Sequence, residues 1–299
     1  MTAVDVPSGL PARIETPVPG DPRLGRLSLN QRTTANWSLP EAVAGVVKAG
    51  IGSIGVWREP LAEFGLEAGR ALIEDAGLRV SSICRGGFFT DPATIDAALE
   101  SNRAAIDETA LLGAPTLVLV AGGLPDGDRD IVGARSRAVD AIGRLVPYAR
   151  ERGVTLGIEP MHPIFAADRG VVSTLQQALD IAEQFDAAEV GVVVDTFHVW
   201  WEPDVLAQIA RAADRIVSYQ VCDWITPLPA DSLLSRGMMG DGHIDFGSLT
   251  AAVAATGYAG DIEVEIFNAE VWAADGDAVV STLARRYVEL VQPFLSSHP

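Results

Sequence analysis

Four side chains with oxygen donors stand at the ends of four successive strand-like runs in the second half of the chain. They are Glu159 in TLGIEP, Asp195 in GVVVDTFH, Gln220 in IVSYQVCD and Glu265 in DIEVEIF. If these runs lie side by side in one sheet, about 4.8 Å apart, the four side chains converge on one point. Three carboxylates crowded together repel one another unless a cation offsets their charge. The pattern therefore predicts a divalent metal site, and its all-oxygen ligand set favours Mg²⁺ or Mn²⁺ over Zn²⁺.

Three of the four histidines and one arginine fall in the loops that follow these strands. His162 and His198 each come three residues after a strand-end carboxylate, and His243 lies in the long loop DWITPLPADSLLSRGMMGDGHIDF. Arg236 is the only positive charge in that loop. Such side chains hydrogen-bond a hydroxyl group or stabilise charge that develops on an oxygen. We expect these residues to bind substrate; a surface position is the alternative for each.

Aromatic residues also cluster near the strand ends, where they suit either the face of a sugar ring or packing under loops. They are Trp57, Phe88, Phe89, Trp200, Trp201, Trp224 and Phe267. The two cysteines, Cys84 and Cys222, lie on strand-like runs and are expected to be buried packing residues.

The elements that must position these residues alternate between strand and helix. The strand-like segments span residues 26–30, 53–57, 79–84, 116–121, 155–159, 190–195, 216–222 and 261–266. Helical patterns follow at residues 39–49, 63–76, 94–112, 130–152, 173–185, 203–213, 247–256 and 277–295. Eight such units predict an α/β fold, a single (β/α)8 barrel over residues 23–299, whose chemistry lies at the carboxyl ends of the strands. Residues 1–22 contain five prolines and are expected to form a flexible N-terminal arm.

The composition of the chain restricts the classes of partner that the protein is expected to bind. The formal net charge of the 299 residues is −18, which disfavours nucleic acid because phosphates need a basic footprint. No apolar run approaches the ~20 residues of a membrane span, and the N-terminus lacks the features of a secretory signal. Two cysteines are too few for a disulfide framework, so we expect a cytoplasmic protein that acts on a small molecule.

The combined motifs resemble the xylose-isomerase-like TIM-barrel superfamily. The resemblance rests on the order IEP, DTFH, YQVCD, GDGHID and EVEIF, and it covers nearly everything after the proline-rich arm. This superfamily includes sugar-phosphate isomerases, ketose 3-epimerases, inosose-processing enzymes and the large subunits of C-glycoside deglycosidases. The resemblance implies a (β/α)8 barrel, a carbohydrate or keto-sugar substrate, and a homo-oligomeric or hetero-oligomeric assembly.

The resemblance also assigns roles. It makes Glu159, Asp195, Gln220 and Glu265 the metal ligands, with Mn²⁺ expected first and Mg²⁺ or Co²⁺ as alternatives. The two glutamates would be the acid/base pair, and the histidine of DTFH and the arginine of the long loop would bind substrate. Epimerases of this family usually have a histidine at the position of Gln220, so the amide is a departure from the pattern.

Three functional classes are weighed against these observations: a proton-transfer enzyme (isomerase, epimerase or lyase), an endonuclease and a silent binding subunit. The leading one is proton abstraction next to the carbonyl of a sugar or keto-sugar, giving isomerisation or epimerisation. The same carbanion would expel a leaving group from a 3-oxo-glycoside or an inosose-type substrate, which would make the enzyme a lyase. An endonuclease of the same barrel type is disfavoured by the four histidines and the negative charge. A catalytically silent binding subunit is disfavoured by the intact ligand set.

Overall fold

Eight parallel strands close into a barrel in the computed structural model, which describes residues 15–295. The strands are β1 (Leu27–Asn30), β2 (Ser53–Trp57), β3 (Arg79–Gly87), β4 (Thr116–Val120), β5 (Thr155–Glu159), β6 (Val190–Asp195), β7 (Ile216–Val221) and β8 (Ile262–Val264). Each strand pairs with the next, and β8 closes the barrel by pairing Val264 with Leu29 of β1. The predicted (β/α)8 fold is confirmed.

The strands form where apolar and β-branched residues predominate, with few interruptions. Every residue of β2, β4 and β6 is buried, as expected for a parallel sheet that is covered on both faces. β3 is longer than predicted and continues to Gly87, whereas β8 ends at Val264, one residue before Glu265. The carboxyl ends of the strands meet at one rim, and the polar strand-end residues are therefore brought together there.

Helices cover the outside of the barrel. They are α1 (Leu39–Ala49), α2 (Arg58–Phe64), α3 (Leu66–Asp75), α4 (Ile95–Leu111), α5 (Ile131–Glu151), α6 (Leu175–Ala182), α7 (Thr196–Val199), α8 (Val205–Ala212), α9 (Phe246–Ala255), α10 (Ala269–Ala273) and α11 (Gly276–Leu290). The start of α1 matches the sequence signal, because Glu41 accepts hydrogen bonds from the backbone N–H and hydroxyl of Ser38.

Two predicted helices differ most from the structure. The segment predicted as one helix over 63–76 is interrupted at Gly65, whose φ of 102° lies outside the helical region, and α2 begins earlier, at Arg58. The final helix, predicted to reach residue 295, ends at Leu290 and is followed by a short 3₁₀ turn, Gln292–Phe294.

The long loop between β7 and β8 contains a small hairpin that the sequence did not predict. Asp223–Trp224 pairs antiparallel with Arg236–Gly237, which returns Arg236 to the rim. The carboxylate of Asp223 accepts hydrogen bonds from the backbone N–H groups of Gly240, Gly242 and Ile244. The acidic residue of YQVCD therefore holds the GDGHID turn in place.

The predicted N-terminal arm is described only in part. Its first 14 residues lie outside the described part of the chain, and Asp21 caps a 3₁₀ turn at Pro22–Leu24. The boundary at residue 22 stays a prediction. Among the helices within residues 15–295, none combines the length and apolar character needed to cross a bilayer.

Candidate active site

A cavity of about 180 Å³ opens at the carboxyl-terminal rim of the barrel. Its walls come from strand ends and from the loops that follow them. The residues that line it include Trp57, Cys84, Arg85, Phe88, Val120, Glu159, Met161, Asp168, Arg169, His198, Leu233, Arg236, Glu265 and Phe267. Both predicted catalytic glutamates are among them.

The three predicted carboxylate ligands lie close together and are almost fully buried. Glu159 ends β5, Asp195 ends β6, and Glu265 follows β8; their exposed fractions are 6%, 0% and 4%. Burial raises the pKa of Glu159 well above its usual range, and the charges of Glu265 and Asp195 add to this. Burial likewise raises the pKa of Glu265 to about 8, although the Arg236 charge opposes the rise. Both shifts mean that the positive charge within the site is too small to keep these two carboxyl groups ionised as readily as in water.

Arg236 is the buried cation of the site. Its side chain is 2% exposed, and Nη1 lies 2.7 Å from Oδ2 of Asp195 and 3.2 Å from Oε2 of Glu265. The guanidinium also packs against the rings of Phe197 and Phe267, at 4.6 and 5.3 Å from their centroids. The sequence identified this arginine but gave no indication that it would be buried between two carboxylates.

His198 lines the cavity as a neutral ring. The backbone N–H of His162 donates to its Nδ1 at 3.0 Å, so Nδ1 carries the lone pair and Nε2 carries the proton. Burial lowers the pKa of His198 well below its usual range, and the Arg236 charge adds to this. Its Nε2 lies 3.0 Å from Nη2 of Arg236. Since both groups are N–H donors, neither satisfies the other, and both remain available to an acceptor.

Gln220 is fully buried on the inner face of β7. Its neighbour in the chain, Tyr219, points outward and hydrogen-bonds Thr250 of α9, so the alternation of the strand directs Gln220 inward. The strand register places Gln220 beside Asp195 on β6 and beside Glu263 on β8. Within residues 15–295, neither Oε1 nor Nε2 of Gln220 has a hydrogen-bond partner. A buried amide without a partner is costly unless something else binds it.

These residues fit a divalent metal ion. Ligand atoms of Glu159, Asp195 and His198 lie within 4.8 Å of one another, and so do those of Cys84, Glu263 and Glu265. If all three predicted carboxylates are ionised, they carry two more negative charges than the single guanidinium of Arg236 offsets. That excess equals the charge of one divalent cation, and the free amide oxygen of Gln220 supplies a further hard ligand.

Several polar residues of the site were missed by the sequence reasoning, namely Arg85, Asp168 and Arg169 of the lining and two residues behind it. Asn30 ends β1 and donates from Nδ2 to Glu263 at 2.5 Å and to Glu265 at 3.0 Å. Glu263, in turn, accepts hydrogen bonds from Ser81 and Ser82 deeper in the barrel. Asn30 carries the same signal as the four predicted residues, namely a polar side chain at a strand end. Glu263 shares the inward face of Glu265 because the two lie two residues apart.

The other two predicted histidines lie outside the cavity lining. His162 packs against Trp201 and Trp224, with ring centroids 5.5 and 4.5 Å away, and burial lowers its pKa to about 4. His243 is exposed and lies 3.1 Å from the hydroxyl of Thr226. The structure brings neither ring to the cavity, and their contact with a substrate stays a prediction.

The remaining predicted residues are aromatic side chains and cysteines, and they lie either in the cavity lining or in the core. Trp57, Phe88 and Phe267 line the cavity, whereas Phe89 is fully buried. Both cysteines are buried free thiols, as predicted, and burial raises the pKa of each.

Comparison with known proteins identifies related barrels. Residues 43–286 match the family model described as the xylose isomerase-like TIM barrel. A crystal structure of a protein from Sinorhizobium meliloti 1021 is 44% identical, with a TM-score of 0.87; the alignment covers 90% of this chain and 99% of that one.

Two curated relatives have named activities. A ketose 3-epimerase of Arthrobacter globiformis is 26% identical over 221 residues, which cover 73% of this chain and 70% of the epimerase. A 3-dehydroshikimate dehydratase of Pseudomonas putida is 31% identical over 147 residues, which cover 46% of this chain. That match spans only 22% of the dehydratase.

Proposed function

The chain belongs to the xylose isomerase-like TIM barrel family, and on that premise we propose that it abstracts a proton next to the carbonyl of a sugar or keto-sugar. It is an enzyme of the isomerase, epimerase or lyase type, as are its named relatives. We propose isomerisation or epimerisation as the outcome.

One observation carries this proposal: two buried glutamates flank a pair of N–H donors that lack an acceptor between them. His198 Nε2 lies 3.8 Å from Glu159 Oε1, and Arg236 Nη1 lies 3.2 Å from Glu265 Oε2. A substrate oxygen within hydrogen-bond reach of both His198 Nε2 and Arg236 Nη2, which lie 3.0 Å apart, would accept from both. Both carboxyl groups line the same cavity, and we propose that they reach the carbon next to that oxygen.

Each residue has a distinct role in the proposed reaction. One glutamate removes the proton and the other returns it, at a different position or on the opposite face of the carbon. His198 and Arg236 donate hydrogen bonds to the oxygen on which negative charge develops, which stabilises the transition state more than the ground state. His198 suits this role because it is neutral and keeps its Nε2 proton.

We propose that a divalent metal ion is held by Glu159, Asp195, Gln220 and Glu265, with Mn²⁺ first and Mg²⁺ or Co²⁺ as alternatives. When bound, such an ion would polarise the substrate carbonyl and make the neighbouring C–H more acidic. The unpartnered amide of Gln220 and the excess negative charge support the proposal.

A lyase is the second candidate, and the dehydratase relative favours it. The proton abstraction is the same, but a leaving group β to the carbanion departs before a proton returns. A 3-oxo-glycoside or an inosose-type substrate would carry such a group. Isomerase and lyase therefore differ in the substrate rather than in the first catalytic step.

We also propose the cellular location and the oligomeric state of the enzyme. Two buried free thiols support a reducing, cytoplasmic location. A homo-oligomer or hetero-oligomer is the prediction of the family resemblance, and light scattering after gel filtration measures it.

A substrate screen tests the function. The protein is stripped of metal with a chelator and supplied with Mn²⁺, Mg²⁺ or Co²⁺ in D₂O. Keto-sugars, inososes and 3-oxo-glycosides are then followed by NMR for deuterium incorporation, new isomers and elimination products. We expect metal-dependent deuterium incorporation next to the carbonyl of at least one substrate. No incorporation with any substrate and metal would contradict the proposed function.

A further inference from the structure

Arg85 lines the cavity and has no charged partner within residues 15–295. It lies near the end of β3, is half-buried and lines the cavity on the side opposite β6 and β7 in the strand order. Within residues 15–295, its guanidinium makes no hydrogen bond or ion pair. The other two arginines of the lining are both paired: Arg169 with Asp168 and Asp231, and Arg236 with Asp195 and Glu265.

Aromatic rings hold Arg85 in place without using its donors. Its guanidinium carbon lies 4.8 Å from the ring centroid of Phe88 and 5.6 Å from that of Trp57. Stacking on a ring face orients the planar group but leaves its edge N–H donors free. The rings thus present the donors to whatever enters the cavity.

The exposure and the backbone conformation of Phe88 differ from those of an ordinary packing residue. It is 44% exposed, although it is a large apolar residue, and it also lines the cavity. Its φ of 64° is in the left-handed region, which is rare for a bulky side chain. Hydrogen bonding of its N–H to the carbonyl of Val120 at 2.9 Å fixes this backbone. Strained positions of this kind cluster at ligand sites.

The charge of Arg85 is also unusual for this protein. The chain has a formal net charge of −18, and the catalytic end of the cavity is acidic. A half-buried cation that has no carboxylate partner within residues 15–295 is therefore a part of the cavity that attracts an anion. A planar guanidinium with free edge donors matches the two oxygens of a carboxylate or phosphate.

We propose that Arg85, with Phe88 and Trp57, forms a subsite for an anionic group on the substrate. The carbonyl of that substrate would face Glu159 and Glu265, so this inference rests on the proposed function. The substrate class is then an anionic keto-sugar or cyclic keto acid that carries a carboxylate or a phosphate, rather than a neutral sugar.

A matched set of ligands and variants tests the subsite. D-fructose is the neutral ligand, 5-keto-D-gluconate carries a carboxylate, and D-fructose 6-phosphate carries a phosphate. Their affinities for the metal-supplemented protein are measured by calorimetry for the wild type, Arg85→Gln, Arg85→Lys and the control Arg129→Gln. Arg129 suits as a control because it is exposed and does not line the cavity.

We expect the wild type to prefer one of the two anionic ligands to D-fructose. Arg85→Gln should weaken binding of that ligand by about 10- to 100-fold, the usual effect of losing a charge-assisted hydrogen-bond pair. Binding of D-fructose should not change, Arg85→Lys should lie between, and Arg129→Gln should match the wild type. The anionic ligand that loses affinity in Arg85→Gln shows whether the subsite binds a carboxylate or a phosphate.

Three results would overturn the subsite: equal anion affinity in Arg85→Gln and wild type, preference of the wild type for D-fructose, or no binding of any of the three ligands. Deuterium exchange catalysed by the wild type is recorded in parallel. Exchange without any effect of Arg85 would refute the subsite alone. Arg85-dependent binding without exchange on any substrate would refute the proposed function alone.

Discussion

Nη1 of Arg236 lies 2.7 Å from Oδ2 of Asp195, and both side chains are almost completely buried. Removing one partner of a buried ion pair leaves the other charge without compensation, which costs about 3–5 kcal/mol. Replacement of Arg236 by Met should therefore lower the free energy of unfolding of the chelator-treated protein by about that amount. Added Mn²⁺ should restore more stability to this variant than to the wild type. Denaturant unfolding with and without metal measures both effects.

Arg169 provides the control for this prediction. It also lines the cavity, but it is paired with Asp231 at the rim, with 35% and 49% of the two side chains exposed. Its replacement by Met should cost less than about 1 kcal/mol because exposed ion pairs contribute little. Equal effects of the two substitutions would show that the Arg236–Asp195 pair is not the buried counter-charge described above.

We expect the side chain of Gln220 to determine which metal ions the site prefers. An amide oxygen is a hard ligand, whereas an imidazole nitrogen favours Co²⁺ and Zn²⁺. Gln220→His should raise the affinity for these two ions relative to Mg²⁺, and Gln220→Ala should weaken all of them by at least about 10- to 100-fold. Competition with a fluorescent chelator gives the dissociation constants. An unchanged order and strength of metal binding in both variants would remove Gln220 from the ligand set.

Asn30 should act on catalysis through Glu265. Its Nδ2 joins Glu263 to Glu265, while its Oδ1 accepts from the indole N–H of Trp57 at 2.9 Å. Asn30→Ala frees the Glu265 carboxylate and leaves a buried indole donor unpaired, which costs about 1–3 kcal/mol. We expect a lower kcat with little change in KM, because Asn30 does not line the cavity.

The matched control for Asn30 is Asn36→Ala. Asn36 is exposed and makes one long hydrogen bond, 3.3 Å, to the carbonyl of Ala274. Its loss should leave both kinetic constants and the unfolding free energy nearly unchanged. If Asn30→Ala raises KM and leaves kcat intact, the asparagine serves substrate binding rather than the orientation of Glu265.

We expect the buried carboxyl group of Glu202, which is separate from the active site, to make the stability of the protein depend on pH. Burial raises the pKa of this 5%-exposed carboxyl from its ordinary 4.5 to about 7, while a hydrogen bond from the Leu175 N–H opposes the rise. Between these two values the folded state holds a proton that the unfolded state has released. Stability contributed by the protonated group is thus complete below about pH 4.5 and is lost as the pH rises to 7.

Glu202→Gln should remove this dependence while keeping an acceptor for Leu175. The variant should be about as stable as the wild type near pH 4.5 and roughly 3 kcal/mol more stable above pH 7. Denaturant unfolding over this pH range measures the difference. The exposed Glu100, replaced by Gln, should show no such trend. A constant difference between Glu202→Gln and wild type at all pH values would contradict the raised pKa.

Much of the fold and part of the site follow from the sequence by simple rules. Parallel strands buried on both faces need continuous apolar runs, and these runs identify all eight strands. Because the carboxyl ends of parallel strands meet at one rim, the positions of Glu159, Asp195 and Glu265 follow from the strand ends alone. The capping signal at Ser38 and Glu41 is equally local, which explains why the start of α1 is predicted correctly.

The parts that could not be predicted depend on contacts between distant segments. Arg236 is 41 residues from Asp195 in the chain, and only the hairpin with Asp223–Trp224 brings the two together. His243 follows the same loop pattern, yet the turn held by Asp223 leaves it exposed. Spacing also fails to distinguish a side chain that lines the cavity from one that packs behind it, as with His162.

The assignment of Glu265 is the central claim, and hydrogen exchange on the substrate tests it most directly. A substrate identified in the metal-supplemented screen is incubated in D₂O with the wild type, Glu265→Gln or the exposed control Glu270→Gln, and deuterium at the carbon next to the carbonyl is followed by NMR. We predict rapid incorporation with the wild type and the control, and a loss of about 10²- to 10⁴-fold with Glu265→Gln. Incorporation by Glu265→Gln at the wild-type rate would show that Glu265 does not transfer the proton.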